Sequence, residues 1–331
     1  MREIHIDIGV NGAFLTRRWE TPGTFMTLTR DTGFTYHEFC ADVLDPFFSG
    51  DESYQRETAE RVRAAASECG VVITDYYTGV ATHRFHGLSH SSAAVRARMR
   101  QWIERAMDMA LLLGTDRIGG HWDAIPVERL GDPDLMKESL KNIYREFRGL
   151  SGVGRSKGIA SISNEQMYIP SEIPWTLGGA EEFLVEVNAG SDGCPVYLTV
   201  DTGHQAGVHY GASGDDVDYI RWLEMFGSVC EIVHVQQTTP DASMHWPFTE
   251  ECNRRGHVQI EQVLRAIEKS HRDHAQRRFA RFLPPVTRTI LVLEYIPGST
   301  TTEQVVLDSL KESCAFLRSF IPDGGITLRF D

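Results

Sequence analysis

No two of the six cysteines form a CxxC pair. Cys40, Cys69, Cys194, Cys230, Cys252 and Cys314 are scattered, which argues against a zinc-thiolate site or a disulfide framework and suits the reduced thiols of a cytoplasmic protein. Long hydrophobic runs are also missing. No window approaches the roughly 18 uninterrupted apolar residues that span a bilayer, and the opening MREIHIDIGV carries charges where a signal peptide would be apolar. The expectation is a protein without a membrane partner. Basic residues are in short supply, 33 against 46 acidic ones, for a net charge of −13. An acidic surface repels phosphate backbones, so nucleic acid is not an expected partner. The one basic cluster, HRDHAQRRFARF near 271–282, reads as a solvated extension or a subunit contact. There is no GxGxxG after the first strand-like run and no GxxxxGK[ST], so a nucleotide cradle lacks its signature.

What remains is a chain of 331 residues with enough apolar content to bury a large core. It reads as one domain over 1–331, with strand-like and helix-like stretches in strict alternation. REIHIDIGV, FTYHEF, VVITDYY and TDRIGGHW are the first four strands, and FTYHEF brings His37 and Glu38 near a strand end. Between them lie a short helix from Pro22 to about Arg30, a long one from Asp51 stopped by Gly70, and one stopped by Gly114. A further helix runs from Asp132 to about Leu150. ASISNE, VYLTVD, EIVHVQ and TILVLE follow, with helical stretches near 178–190, 214–227, 256–270 and 302–319. Eight strands alternating with eight helices predict a parallel sheet with right-handed crossovers, most simply closed into an α/β (β/α)8 TIM barrel. A doubly wound open sheet is the fallback. The longest loops, near 78–91, 166–177 and 238–255, all follow strands and so belong on the catalytic face of such a barrel.

The last four strands end alike. Each is an apolar run that finishes on a polar oxygen donor: Glu165, Asp201, Gln236 and Glu294. In a parallel barrel the carboxyl ends of the strands converge on one mouth, so these four residues would face a common point. Three carboxylates there repel unless a cation sits between them, and an oxygen-dominated set with one amide suits a hard divalent ion. Mn2+ or Mg2+ therefore ranks first, with Zn2+ or Co2+ as alternatives. Period-two alternation puts His234 on the same side as Gln236, so His234 remains open as a substitute on strand seven.

These motifs resemble the xylose-isomerase-like TIM barrels, a family that includes sugar isomerases, ketose 3-epimerases, inosose dehydratases and endonuclease IV. Glu165 in SNE, Asp201 with His204 in DTGH, and Glu294 in LEY look like the metal and base positions of ketose 3-epimerases. ECNRRG resembles an epimerase loop in which Arg254 would contact substrate. Where most relatives carry a histidine ligand on strand seven, this chain is read with Gln236 at the matching place. The resemblance implies a carbohydrate substrate, enolisation through a cis-enediolate, and Glu165 and Glu294 as the acid/base pair. His204 would hold a substrate oxygen. His121, Trp122, Tyr77 and Trp246 are candidates for the substrate walls, set against plainer roles as core or loop anchors. The narrowest activity implied is that of a tetrulose-phosphate 3-epimerase. Alternatives on the same barrel are an enolate-forming lyase (inosose dehydratase or C-deglycosidase catalytic subunit), an endonuclease IV-like nuclease, and a non-catalytic subunit. Such barrels commonly pair through loop faces, so a homo-oligomer or a small partner subunit falls within the expectation. His83, His86 and His90 read as an exposed loop rather than a second metal site.

Overall fold

A computed structural model describes residues 2–79, Thr82 and 85–330, so His83 lies outside the described residues. Its centre is a closed parallel barrel of eight strands. In chain order these are β1 (Arg2–Asn11), β2 (Tyr36–Cys40), β3 (Val72–Tyr77), β4 (Arg117–Gly120), β5 (Ser161–Glu165), β6 (Val196–Asp201), β7 (Ile232–Val235) and β8 (Arg288–Leu293). β1 pairs in parallel with β8 over His5–Val10 and with β2 only over Gly9–Asn11, which closes the ring. Where β1 parts from β2, a ninth strand, β9 (Ile326–Phe330), runs antiparallel to it and takes up its free backbone groups. The sequence reading did not contain this strand, because ITLRF lies after the last βα unit and alternates only weakly.

The main helices are α1 (Pro22–Asp31), α2 (Glu52–Cys69), α3 (Ala93–Leu113), α4 (Val127–Leu130), α5 (Pro133–Lys157), α6 (Leu177–Asn188), α7 (Tyr219–Phe226), α8 (Glu250–Arg255), α9 (Ile260–Asp273) and α10 (Glu303–Arg318). Local chemistry explains their ends. Asp51 and Asp132 accept the first free N–H groups of α2 and α5, and Gly70 and Gly114 close α2 and α3 in the left-handed region. α5 runs about two turns past the expected Leu150, to Lys157, through Gly152 and Gly154. Each glycine costs a helix about 1 kcal/mol. Tertiary packing overrides that cost, because a Cβ on Gly154 would sit 2.9 Å from Cys194 Sγ. α9 stops at Asp273, and the basic stretch after it buries His274 and Phe279 rather than lying wholly in solvent.

Two apolar layers result. The larger fills the space between barrel and helices, with Trp102, Trp122, Phe147, Phe183, Trp222 and Phe226 among its members. Inside the ring, Ile232, Ile290 and Val292 pack with Tyr36 as a small plug. The rest of the interior near the strand carboxyl ends is polar, which leaves that end for chemistry. Among the described residues, no helix is long and apolar enough to cross a membrane, and all six cysteines are free thiols.

Candidate metal centre

Strand register brings the site together. Asp201, the last residue of β6, lies directly opposite His234 in β7, and Glu165 ends β5 one strand further round. Glu294 follows β8, and its N–H still bonds to Val235 O. One ligand atom from each of Glu165, Asp201, His234 and Glu294 lies within 4.8 Å of all the others. His234 Nδ1 is 3.1 Å from Glu165 Oε1, 3.7 Å from Glu294 Oε1 and 3.9 Å from Asp201 Oδ2. Three carboxylates and one imidazole at hard-cation spacing fit a single divalent ion.

On strand seven, the histidine and not the glutamine lies among the carboxylates. His234 meets the carboxylates, whereas Gln236 turns its amide nitrogen toward Asp201, 3.1 and 3.0 Å from the two carboxylate oxygens. The Gln236 carbonyl oxygen accepts the His245 backbone N–H at 2.6 Å. Register is the reason: His234 is level with Asp201, and Gln236 is two residues nearer the mouth. Gln236 therefore orients Asp201 and ties the β7–α8 loop to it. The fit is close, since a Cβ on Gly203 would lie 2.2 Å from the Gln236 amide carbon.

On its other side, His234 Nε2 lies 2.9 and 3.1 Å from the oxygens of Glu38, a fully buried carboxylate on β2 that Asn11 also holds. A carboxylate behind a ligating histidine fixes its tautomer and raises its basicity. Tyr77 packs on the same imidazole with ring centroids 4.7 Å apart.

Electrostatics follow from this crowding. Burial would lower the proton affinity of His234, but the charges of Glu38 and Glu294 and its bonds to Glu165 and Glu38 carry it well above the usual histidine value. Burial raises the Glu38 carboxyl, with His234 pulling against it. Burial also pushes Asp201 up to about 6, partly offset by His204. Glu294 goes the other way: burial opposes ionisation, yet the charges of His234 and His245 hold it well below the usual carboxylate range. Glu165 is likewise lowered, against burial, by its bond to His234. Without a metal, the His234 imidazolium is the cation that lets these carboxylates coexist.

A cavity of about 470 Å³ opens over the cluster. Glu165, Glu294, Tyr77 and His204 line it, as the sequence led one to expect, together with Ala13, Met167, Ile169 and Ile296 as apolar walls. His204 Nδ1 donates to Gln166 O at 2.5 Å, and its Nε2 is turned toward Asp201, 3.7 Å away. Asn11, Glu172 and His245 are among the lining residues that the sequence did not single out. Asn11 ends β1, and Glu172 sits in the β5–α6 loop. His245, held at φ +48°, reaches Glu294 Oε2 at 3.2 Å. Their signals are weak, because nothing in MHWPF marks the histidine rather than the tryptophan as the inward residue.

Four expected contacts are not at this cavity. The His121 ring bonds to the Asp123 carbonyl, and its N–H bonds to Thr78. Trp122 is buried on the helix side against Phe147. Trp246 forms a bridge with Gln237, with the Arg255 guanidinium 4.6 Å above its ring. Arg254 lies on the exposed side of α8, 3.8 Å from Glu250. A neighbour close in sequence captures His121, Trp246 and Arg254, and α5 captures Trp122 through Phe147, which strand-end position alone does not reveal.

A sequence family described as xylose isomerase-like TIM barrel matches residues 26–274. The chain is 23% identical over 263 residues to the D-erythrulose 1-phosphate 3-epimerase of Brucella abortus, covering 79% of this chain and 83% of that one. A Rhodospirillum rubrum protein provisionally described as a xylose isomerase superposes with a TM-score of 0.79 at 21% identity, over 95% of this chain and 99% of that one. The D-psicose 3-epimerase of Clostridium cellulolyticum, solved with D-tagatose, superposes with a TM-score of 0.64 at 15% identity, over 96% of this chain and 99% of that one.

Proposed function

The chain belongs to the xylose isomerase-like TIM-barrel family, and from that premise we propose that it is a metal-dependent 3-epimerase of a small ketose or ketose phosphate, in the narrowest case a tetrulose phosphate. The observation that carries this reading is the pair Glu165 and Glu294, two carboxylates that share His234 and face one cavity. The name of the Brucella abortus relative supports the tetrulose phosphate.

Glu165, Asp201, His234 and Glu294 would hold a divalent ion, manganese or magnesium suiting the donors best, and it would supply positive charge beside the substrate carbonyl. The chain's own groups do the rest. One glutamate takes the proton from C3: the C–H bond breaks, its electron pair moves toward the carbonyl, and the carboxylate becomes a carboxylic acid. The other glutamate, which first takes up a proton from solvent, gives it to the opposite face, and the first releases its proton to solvent, which restores both carboxylates. Their lowered proton affinities keep both ionised at rest. His204, which lines the cavity, holds a substrate oxygen through Nε2. Tyr77, Met167 and Ile296 exclude water from the reacting carbon.

The test is proton exchange. Incubating D-erythrulose and its 1-phosphate in deuterated water with Mn2+ should place deuterium at C3 and yield the C3 epimer. Full turnover without label at C3, or loss of water from the product, would refute epimerisation.

A further inference from the structure

We propose that the cavity beside the metal centre, at the turn between β1 and α1, is an anion subsite in which Arg17 holds the phosphate of a phosphorylated ketose. The proposal rests on the epimerase reading for the identity of the sugar, but not for the presence of the subsite.

Glu165, Glu172 and Glu294 line the metal cavity, with no lysine or arginine among its described lining residues. A phosphate dianion there would face carboxylates and find no guanidinium or ammonium, so the adjoining space suits it better. A second cavity, of about 930 Å³, adjoins it: Ile296 lines both, and Asp42 of the second lies so near Gly79 of the first that a Cβ there would meet its carboxyl at 2.1 Å. Two arginines face this second space. Arg18 is committed, bonding to Thr301 O and Gly298 O at 2.8 Å and to Glu303 at 2.9 Å, which pins the β8–α10 loop to the β1–α1 turn. Arg17 is not. It is exposed and makes no hydrogen bond or ion pair among the described residues, on a backbone held at φ +59°, a region that non-glycine residues seldom occupy.

The acidic residues of this cavity are mostly spoken for. Asp45 accepts the N–H groups of Phe47 and Phe48 at 2.7 and 2.9 Å and Trp102 Nε1 at 3.0 Å, and Glu303 faces Arg18. Asp42 also lines the cavity, and an anion there would turn from its charge toward Arg17 and the hydroxyls of Ser49 and Ser299. A planar guanidinium with free donors matches phosphate geometry.

The experiment compares metal-loaded wild type with Arg17→Gln and Arg17→Lys. Calorimetric titration with inorganic phosphate should show binding to wild type, about 10- to 100-fold weaker binding to Arg17→Gln, and partial recovery in Arg17→Lys. The ratio of kcat/KM for a tetrulose phosphate over the free tetrulose should fall by the same factor in Arg17→Gln. Equal phosphate affinity in wild type and Arg17→Gln, an unaltered ratio, or no phosphate binding to wild type would overturn the proposal. Absence of C3 exchange with either ketose would instead sink the epimerase reading, and the phosphate titration would still decide the subsite.

Discussion

Metal binding should release a proton from His234, and the number released can be worked from the geometry. In the metal-free chain both imidazole nitrogens face carboxylates, Nε2 toward Glu38 and Nδ1 toward Glu165, Glu294 and Asp201, so the ring is an imidazolium at neutral pH. A cation bound at Nδ1 must displace that proton. Metal ligands bind deprotonated, so one displaced proton makes apparent affinity rise about tenfold per pH unit, up to the raised His234 value. Asp201, which titrates at about 6, adds a second proton below that pH, where the dependence steepens toward about a hundredfold per unit. Glu165 and Glu294, both lowered, add none in this window. Titration with Mn2+ in two buffers of different ionisation enthalpy at neutral pH should report about one proton released. The same proton stabilises the metal-free fold. His234 is raised on folding, so its contribution is full below the unfolded value of about 6.5 and disappears as pH climbs through the folded one. In Glu38→Gln, which removes the first charge behind the ring, proton release should fall below one and metal affinity should drop about 10- to 100-fold. Zero proton release at neutral pH, or affinity independent of pH between about 6 and 8, would refute the reasoning.

Three further outcomes follow from the same geometry. Gln236→Met, which removes the donor to Asp201 and the acceptor for His245 N–H, should weaken metal affinity and lower kcat about 10- to 100-fold. Gly203→Ala, which crowds the same amide, should do likewise; isothermal titration and steady-state kinetics check both. Glu165→Gln and Glu294→Gln should each lower kcat by about 10²- to 10⁴-fold while leaving C3 deuterium exchange from one epimer only, read by NMR with metal content measured alongside. Trp122→Ala, a cut into the helix-side core, should cost about 3–5 kcal/mol in urea unfolding. A shift in KM without loss of stability would return Trp122 to the substrate wall.

The fold was largely legible because a βα repeat writes its period and its stops locally: apolar runs of strand length, helical spacing, and glycine or aspartate at the ends. For the same reason the strand-end rule pointed to Glu165, Asp201 and Glu294, which the structure brings together. It could not choose between His234 and Gln236, because both lie on one face of β7 and only the pairing of His234 with Asp201 sets their depth. Glu38 was noticed only as near a strand end. Its role arises across the barrel interior, from a histidine 196 residues away. His121, Trp122, Trp246 and Arg254 sat at plausible positions, but loop and helix neighbours turned them away from the cavity.

What the amino-acid order alone determined is the barrel and the direction in which its polar strand ends point, since both follow from periodicities of two and 3.6 residues that short segments carry by themselves. Tertiary structure decided which imidazole enters the cluster, which carboxylate stands behind it, and that the glutamine turns its amide nitrogen to Asp201. Those outcomes depend on hydrogen-bond register between strands far apart in the chain and on how the ring closes. A shift of two residues along one strand keeps the same face while moving the donor from the metal's level to the mouth.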